Sequence, residues 1–182
     1  IEDAVLRAES LTSAPPTLVC HSMGGLAARA WLASHQGNAA RIRRMITIGT
    51  PHHGTWLARL SHFDNARQMR PDGDWLMDLA ERERRCGPAR DELAVVCWYS
   101  NTDNVVFPAE TAILPGADNR LVRAAGHVDL AFHATVMTES LAMLASAAPS
   151  TPASTQMATA MAPAALTAPM IATITTPTST PP

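Results

Sequence analysis

Residues 17–26 read Thr17-Leu18-Val19-Cys20-His21-Ser22-Met23-Gly24-Gly25-Leu26, which places a serine between an apolar strand and a helix. This pattern predicts a nucleophile elbow, a strained turn that lifts the Ser22 hydroxyl above a sheet. Cys20 replaces the first glycine of the usual Gly-x-Ser-x-Gly, and Cys20 and Gly24 are small enough to keep the turn free of clashes. The following helix would aim the backbone N–H of Met23 at an oxyanion. The alternatives are a serine that only caps the helix, and Cys20 as the nucleophile.

The sequence around the elbow alternates strand and helix patterns. Apolar runs predict buried strands at 17–20, 42–48, 93–99 and 120–124. Amphipathic stretches predict helices at 1–12, 24–35, 55–85 with a break at 71–73, and 128–145. Strands that alternate with helices favour right-handed crossovers and a parallel sheet. We therefore predict an α/β fold with a parallel sheet of about four strands flanked by helices.

A serine hydroxyl is a poor nucleophile without a base, so a catalytic Ser22 requires an acid and a histidine elsewhere in the chain. Behind an elbow, an acid and then a histidine are expected on loops after later strands. Asp103 lies just past the strand that ends near Tyr99, and His127 follows the last predicted strand. We assign Ser22 as nucleophile, His127 as general base and then acid, and Asp103 as the group that orients the imidazole.

Each partner of the serine has a rival in the sequence. Asp118 and Asp129 are alternative acids, but neither directly follows a strong strand. Asp103 is also a typical turn residue. His133 is an alternative base, but it falls inside the predicted last helix, where a packed or exposed histidine is ordinary. The strand-end positions favour Asp103 and His127.

The loop Gly49-Thr50-Pro51-His52-His53-Gly54 follows the second predicted strand and is expected to shape the wall of the cleft. His21, His52 and His53 are the predicted substrate-binding residues. These three histidines also suggest a metal, but no cysteine or carboxylate completes a recognisable spacing of ligands. We predict neither a metal nor a cofactor.

An apolar stripe follows this loop and has two interpretations. It is a lid or acyl-binding surface, or it is ordinary helix core, and the second is favoured. Its members are Trp56, Leu57, Leu60, Phe63, Trp75, Leu76, Met77 and Leu79.

Composition limits the remaining classes. The chain has 182 residues, 47% hydrophobic and 16% charged, with a formal net charge of −2. This suits one domain with or without a tail, and it gives no electrostatic footprint for nucleic acid. No uninterrupted apolar stretch reaches the roughly 18–20 residues of a membrane span.

At most one disulfide is available, with Cys86 and Cys97 as the preferred pair, but free thiols are favoured.

The composition changes sharply near residue 146. The last charged residue is Glu139, and residues 146–182 are dominated by Ala, Thr, Pro, Ser and Met. Prolines there break helices and remove the backbone donors that a strand needs. We predict a core at 1–145 and a disordered Pro/Thr/Ala tail at 146–182. A glycosylated stalk or a linker is the alternative for the tail.

Four segments give the chain a recognisable family pattern. They are 21–25, 48–54, the loop 99–108 with Asp103, and Gly126-His127. Together they resemble a bacterial lipase or esterase of the α/β-hydrolase superfamily, in its triacylglycerol-lipase-like branch. The resemblance implies cleavage of carboxylic esters through an acyl-enzyme, with a small-molecule ester or a lipid as substrate and contact with a lipid interface. The alternatives are amide or thioester cleavage on the same fold, and an inactive truncated remnant or non-catalytic module.

The chain departs from this pattern at its start. It begins on Ile1, one helix before the elbow strand. The early strands, and the loop that supplies the second oxyanion donor in such proteins, are therefore expected to be missing. Losing one donor typically costs about 10²- to 10³-fold in rate, so we expect this chain alone to be weakly active or inactive. Secretion and a cytoplasmic location both stay open.

Overall fold

The computed structural model describes residues 1–60, 64–86 and 92–146 of the chain. Phe63 and all of the predicted tail except Ser146 lie outside the described residues. The described helices and strands, in chain order, are α1 (Glu2–Leu11), β1 (Thr17–His21), α2 (Met23–Leu32), β2 (Arg44–Ile48), α3 (Asp64–Gln68), α4 (Asp74–Arg85), β3 (Ala94–Ser100), β4 (Asp118–Val122), α5 (His127–Phe132) and α6 (Ala134–Ala145).

The strands form a four-stranded parallel sheet in the order β1-β2-β3-β4. Val19 lies opposite Ile46, which in turn lies opposite Val96 on β3. All strands run the same way, so the loops after them meet at one edge of the sheet. The predicted α/β fold with a parallel sheet flanked by helices is therefore confirmed.

The core lies on the two faces of this sheet. On one face, α1 and α2 pack against β2 through a cluster that includes Val5, Leu32 and Met45. On the other face, the C-terminal helices pack against β2, β3 and β4 through a cluster that includes Ile46 and Leu130. Burial of apolar residues on both faces is what a parallel sheet between two helical layers requires.

Some predicted boundaries differ from those in the structure. The second strand begins at Arg44 rather than 42, and the fourth covers Asp118–Val122 rather than 120–124. The region from 55 to 85 contains a short 3₁₀ helix at Trp56–Leu60 before α3 and α4. The single closing helix predicted at 128–145 is wrong, because extended backbone at His133 (φ −62°, ψ 132°) separates α5 from α6. Within the described ranges, no helix is long and apolar enough to cross a membrane.

Candidate active site

Ser22 occupies a strained turn between β1 and α2. Its φ of 54° and ψ of −129° lie outside the regions that a non-glycine residue prefers. Its N–H donates to the carbonyl of Ile48 (2.9 Å), and its own carbonyl accepts from the Thr50 hydroxyl (2.8 Å). Hydrogen bonds to β2 and to the loop after it therefore hold the turn in this conformation.

His127 lies against Ser22 at the carboxyl edge of the sheet. It is the first residue of α5 and only 6% exposed. Its Nε2 is 2.9 Å from Ser22 Oγ, and its Nδ1 is 2.9 Å from Asp103 Oδ2. The imidazole thus bridges the hydroxyl and the carboxylate through its two ring nitrogens, which is the arrangement a proton relay requires.

The Asp103 carboxylate is held by its own loop as well as by the histidine. Oδ1 accepts hydrogen bonds from the backbone N–H groups of Val105 and Val106, each at 2.8 Å. Burial raises the pKa of Asp103, but the hydrogen bonds from His127, Val106 and Val105 outweigh burial and lower it below the ordinary value. Asp103 is therefore ionised at neutral pH and can stabilise a positive charge on the neighbouring ring.

Gly49 lies directly against this group of side chains. Its φ is +56°, and a Cβ built there would be 3.2 Å from His127 Nδ1 and 3.3 Å from Asp103 Oδ2. A larger residue at this position would press on the contact between the histidine and the carboxylate. Sequence reasoning placed residue 49 in a wall of the cleft, but the strand-end pattern alone did not indicate this close approach.

Met23 is the first residue of α2. The first N–H groups of a helix have no acceptor within the helix, and the positive end of the helix dipole adds to their field. The Met23 N–H immediately follows the Ser22 turn and can donate to an oxygen that becomes negative there.

The three histidines predicted to bind substrate lie in different surroundings. His21 is exposed, and its Nε2 is 3.2 Å from the carbonyl oxygen of His127. The His52 ring is 1% exposed, and its Nε2 is 3.1 Å from the Thr47 hydroxyl. His53 lines a cavity of about 770 Å³ between α2, α4 and the sheet. Among the described residues that line this cavity, none belongs to the Ser22–His127–Asp103 group.

The rivals of the predicted residues lie in other surroundings. The Asp118 carboxylate pairs with Arg120 at 2.6 Å. His133 lies at the junction of α5 and α6. Cys20 is a free thiol whose pKa is raised by burial, and this disfavours the thiolate that a cysteine nucleophile needs.

The other two cysteines are free as well, and no bridge joins Cys86 to Cys97. Burial raises the pKa of the Cys97 thiol to about 11. Among the residues that the structure describes, no group of three or more His, Cys, Asp or Glu side chains is arranged to hold a metal ion.

Comparison with known proteins assigns the chain to a family. Residues 9–120 match the family described as PGAP1-like alpha/beta domain. The chain belongs to this family. The matched residues include Ser22 and Asp103 of the candidate site and end before His127. A comparison with curated proteins finds no match.

Solved structures similar to this family member include two forms of a bacterial lipase and a second bacterial protein. The mature form of Bacillus licheniformis lipase BlEst2 has 16% identity and a TM-score of 0.66, with 78% of this chain and 70% of the lipase covered. Its propeptide form has 17% identity and a TM-score of 0.63, with 76% and 38% covered. The lin2722 gene product of Listeria innocua has 13% identity and a TM-score of 0.57, with 83% and 66% covered. The chain thus spans between 38% and 70% of the length of these proteins, and it shares their α/β fold.

Proposed function

We propose that this chain is a serine hydrolase that cleaves carboxylic esters through an acyl-enzyme at Ser22. The observation that carries the proposal is the continuous contact from Ser22 Oγ through His127 to Asp103, with 2.9 Å at each end of the imidazole. The family assignment and the lipase-like fold support the same chemistry. On this proposal residues 1–145 carry the hydrolase and the tail carries none of its reacting groups.

The proposed reaction has two halves. In the first, Ser22 Oγ attacks the ester carbonyl carbon while His127 Nε2 takes the hydroxyl proton. The tetrahedral intermediate then collapses, and His127 gives the proton to the departing alkoxide, which leaves an ester on Ser22. In the second half a water molecule attacks the acyl carbon while His127 Nε2 takes its proton; the bond to Ser22 Oγ then breaks, His127 returns the proton to Oγ, and the acid leaves. Asp103 holds the imidazole in orientation and stabilises its charged form throughout.

The negative oxygen of each tetrahedral intermediate needs a hydrogen-bond donor. The Met23 N–H at the start of α2 is the donor that we assign, because it follows the nucleophile directly and lies at the positive end of the helix. One such donor is worth about 10²- to 10³-fold in rate.

The surface beside the site favours an acyl or lipid ester over a polar one. Trp56 is 56% exposed and Phe107 59% exposed, and their rings meet edge to face with centroids 6.5 Å apart. The backbone N–H of Trp56 donates to the Phe107 carbonyl (3.0 Å). The backbone at Trp56 therefore lies against the loop that follows Asp103 and contains Phe107. Leu57 and Leu60, which lie in the same 3₁₀ helix as Trp56, are also exposed. Such a surface can hold an acyl chain or contact a lipid interface.

The roles in substrate binding predicted for the three histidines stay predictions. Burial of the His52 ring and its contact with Thr47 favour support of the loop over contact with a ligand. His53 faces a cavity that is separate from the Ser22 hydroxyl.

Labelling with a fluorophosphonate tests the proposal, because this probe reacts with an activated serine and needs no knowledge of the substrate. We expect slow modification at Ser22, mapped by mass spectrometry, because Met23 is the one oxyanion donor that we assign to this chain. The modification should be lost in Ser22→Ala. Ser10→Ala, at an exposed serine on α1, is the matched control and should be labelled like the wild type. A folded wild-type chain that is not modified at Ser22 would contradict the proposal and favour a non-catalytic protein. If a labelled chain cleaves amides or thioesters but not esters, the substrates are amides or thioesters and not carboxylic esters.

A further inference from the structure

The main chain of His127 is held at both of its polar groups. Its N–H donates to Asn104 Oδ1 (3.0 Å), and its carbonyl oxygen lies 3.2 Å from His21 Nε2. Since a carbonyl only accepts, His21 Nε2 carries the proton in this contact. His127 begins α5, so its N–H has no acceptor within the helix. Asn104 supplies that acceptor from a loop more than twenty residues away.

Each of these partners is the sequence neighbour of a residue in the candidate triad. His21 precedes Ser22, and Asn104 follows Asp103. Each pair of neighbours therefore contacts His127 twice, once at its ring and once at its main chain. Ser22 and Asp103 contact the two ring nitrogens, while His21 and Asn104 contact the carbonyl and the N–H.

We propose that His21 and Asn104 are positioning residues that fix the main chain of His127 and so keep its imidazole aligned between Ser22 and Asp103. The inference rests on the proposed function. It gives His21 a role different from the substrate contact predicted from the sequence.

The physical reason lies in how little freedom a proton relay tolerates. The two ring contacts restrain the orientation of the imidazole, but they move with the backbone if the turn before α5 shifts. A displacement of about 1 Å at a reacting group can cost about 10²-fold in rate. The His21 ring also packs against the His127 ring, with centroids 4.8 Å apart. The main-chain contacts therefore fix the position of the His127 backbone, and the ring contacts fix the orientation of its imidazole.

Four variants separate these contributions. His21→Phe keeps an aromatic ring beside His127 and removes the N–H donor. His21→Gln restores a donor, because an amide nitrogen can take the place of Nε2. Asn104→Ala removes the acceptor of the His127 N–H. His35→Phe makes the same change as His21→Phe at an exposed histidine outside the site and is the matched control.

The first readout is the fluorophosphonate reaction, resolved into an affinity constant and a maximal rate constant. We expect the maximal rate constant to fall about 10-fold in His21→Phe and in Asn104→Ala, with the affinity constant unchanged. His21→Gln should recover part of the maximal rate constant that His21→Phe loses, because it restores the donor but not the ring contact, and His35→Phe should stay close to the wild type. If His21 and Asn104 only stabilise the fold, the substitutions would lower the thermal midpoint. They would not lower the maximal rate constant while leaving the affinity constant unchanged. Wild-type rate constants in both His21→Phe and Asn104→Ala would overturn the inference.

The second readout does not depend on catalysis. Hydrogen exchange followed by NMR measures protection of the His127 backbone N–H, which we expect to be lost in Asn104→Ala and kept in His35→Phe. Exchange of the His127 ring proton at Nδ1 should become faster in His21→Phe and recover in His21→Gln. If the wild type is not modified at Ser22, the proposed function fails, and unchanged exchange at both protons would separately overturn the positioning roles.

Discussion

At the scale of single residues, the second glycine after Ser22 is more tightly packed than the first. A Cβ added to Gly25 would lie 2.6 Å from Thr50 Cγ2 and 2.9 Å from Thr50 Cβ. A Cβ added to Gly24 would meet only Cys20 Cβ, at an ordinary 3.8 Å. Thr50 also donates its hydroxyl to the Ser22 carbonyl. Gly25 is therefore the position at which the helix, the loop after β2 and the elbow are packed together.

We expect Gly25→Ala to lower the free energy of unfolding by about 1–3 kcal/mol, because the new methyl group must displace Thr50 from the Ser22 carbonyl. Urea denaturation measures the change. Gly24→Ala is the matched control, since both glycines lie in α2 and gain the same helix propensity. It should be neutral or stabilising by up to about 1 kcal/mol. If the two substitutions change the free energy of unfolding equally, the close contact with Thr50 does not determine the cost of a methyl group at residue 25.

The residues of the candidate site differ in how readily the sequence indicates them. Ser22, Asp103 and His127 each follow a predicted strand, and the structure brings their side chains together, although their catalytic roles stay predictions. Parallel strands deliver such loops to one edge whatever the spacing in the chain. The contacts of Thr50 and Asn104 join segments remote in sequence through single hydrogen bonds. No periodicity or motif encodes such a contact, so the sequence did not indicate them.

At the scale of elements, α2 and α4 are joined by a buried ion pair. Arg29 Nη2 lies 2.8 Å from Glu83 Oε2, and Arg29 Nε donates to Oε1 at the same distance. Arg29 Nη1 also donates to the His52 carbonyl (2.7 Å). The guanidinium therefore ties the helix after the nucleophile both to α4 and to the loop that contains Gly49. Residues 81–85 consist only of acidic and basic residues, a pattern typical of a solvated helix face, so the sequence alone does not indicate this pairing.

Removing one charge of this pair leaves the other buried without full compensation. We expect Glu83→Gln to lower the free energy of unfolding by about 3–5 kcal/mol. The control is Asp78→Asn, which breaks the more exposed pair between Asp78 and Arg82 on the same helix and should cost at most about 1 kcal/mol. Thermal and urea denaturation of both variants provide the comparison. Similar small losses in the two variants would mean that the Arg29–Glu83 pair is hydrated in solution.

The elements themselves were predicted with uneven success. Apolar runs indicated β1, β2 and β3, because burial leaves little room for polar residues there. β4 begins with the polar residues Asp118 and Asn119, so the apolar pattern placed its start two residues late. The break between α5 and α6 was missed because His133 is neither proline nor glycine. The extended backbone at His133 depends on how the two helices pack and not on local propensity. The helix pattern in the sequence therefore does not reveal it.

At the scale of the whole molecule, β1 is an edge strand of the described sheet. β1 pairs with β2 and, within the described residues, with no other strand. Val19 on β1 is 49% exposed, whereas Ile46 opposite it on β2 is 0% exposed. The strand that leads to Ser22 thus presents unpaired backbone groups and an apolar side chain together. An edge of this kind is a template for pairing with another chain.

We expect this edge to make the chain associate as its concentration rises, and Val19→Lys to weaken that association by placing a charge on the edge. Sedimentation velocity over a concentration series measures the effect. Met77→Lys is the control, because it adds the same charge at an exposed apolar residue on α4, away from the sheet. If both variants weaken association equally, the loss of exposed apolar surface in general, and not the edge, is responsible, because a lysine brings the net charge of −2 closer to zero and does not add general repulsion. If only Val19→Lys does so, β1 is the associating surface, and fluorophosphonate labelling of the monomeric variant then shows whether the elbow reacts when its strand is left unpaired.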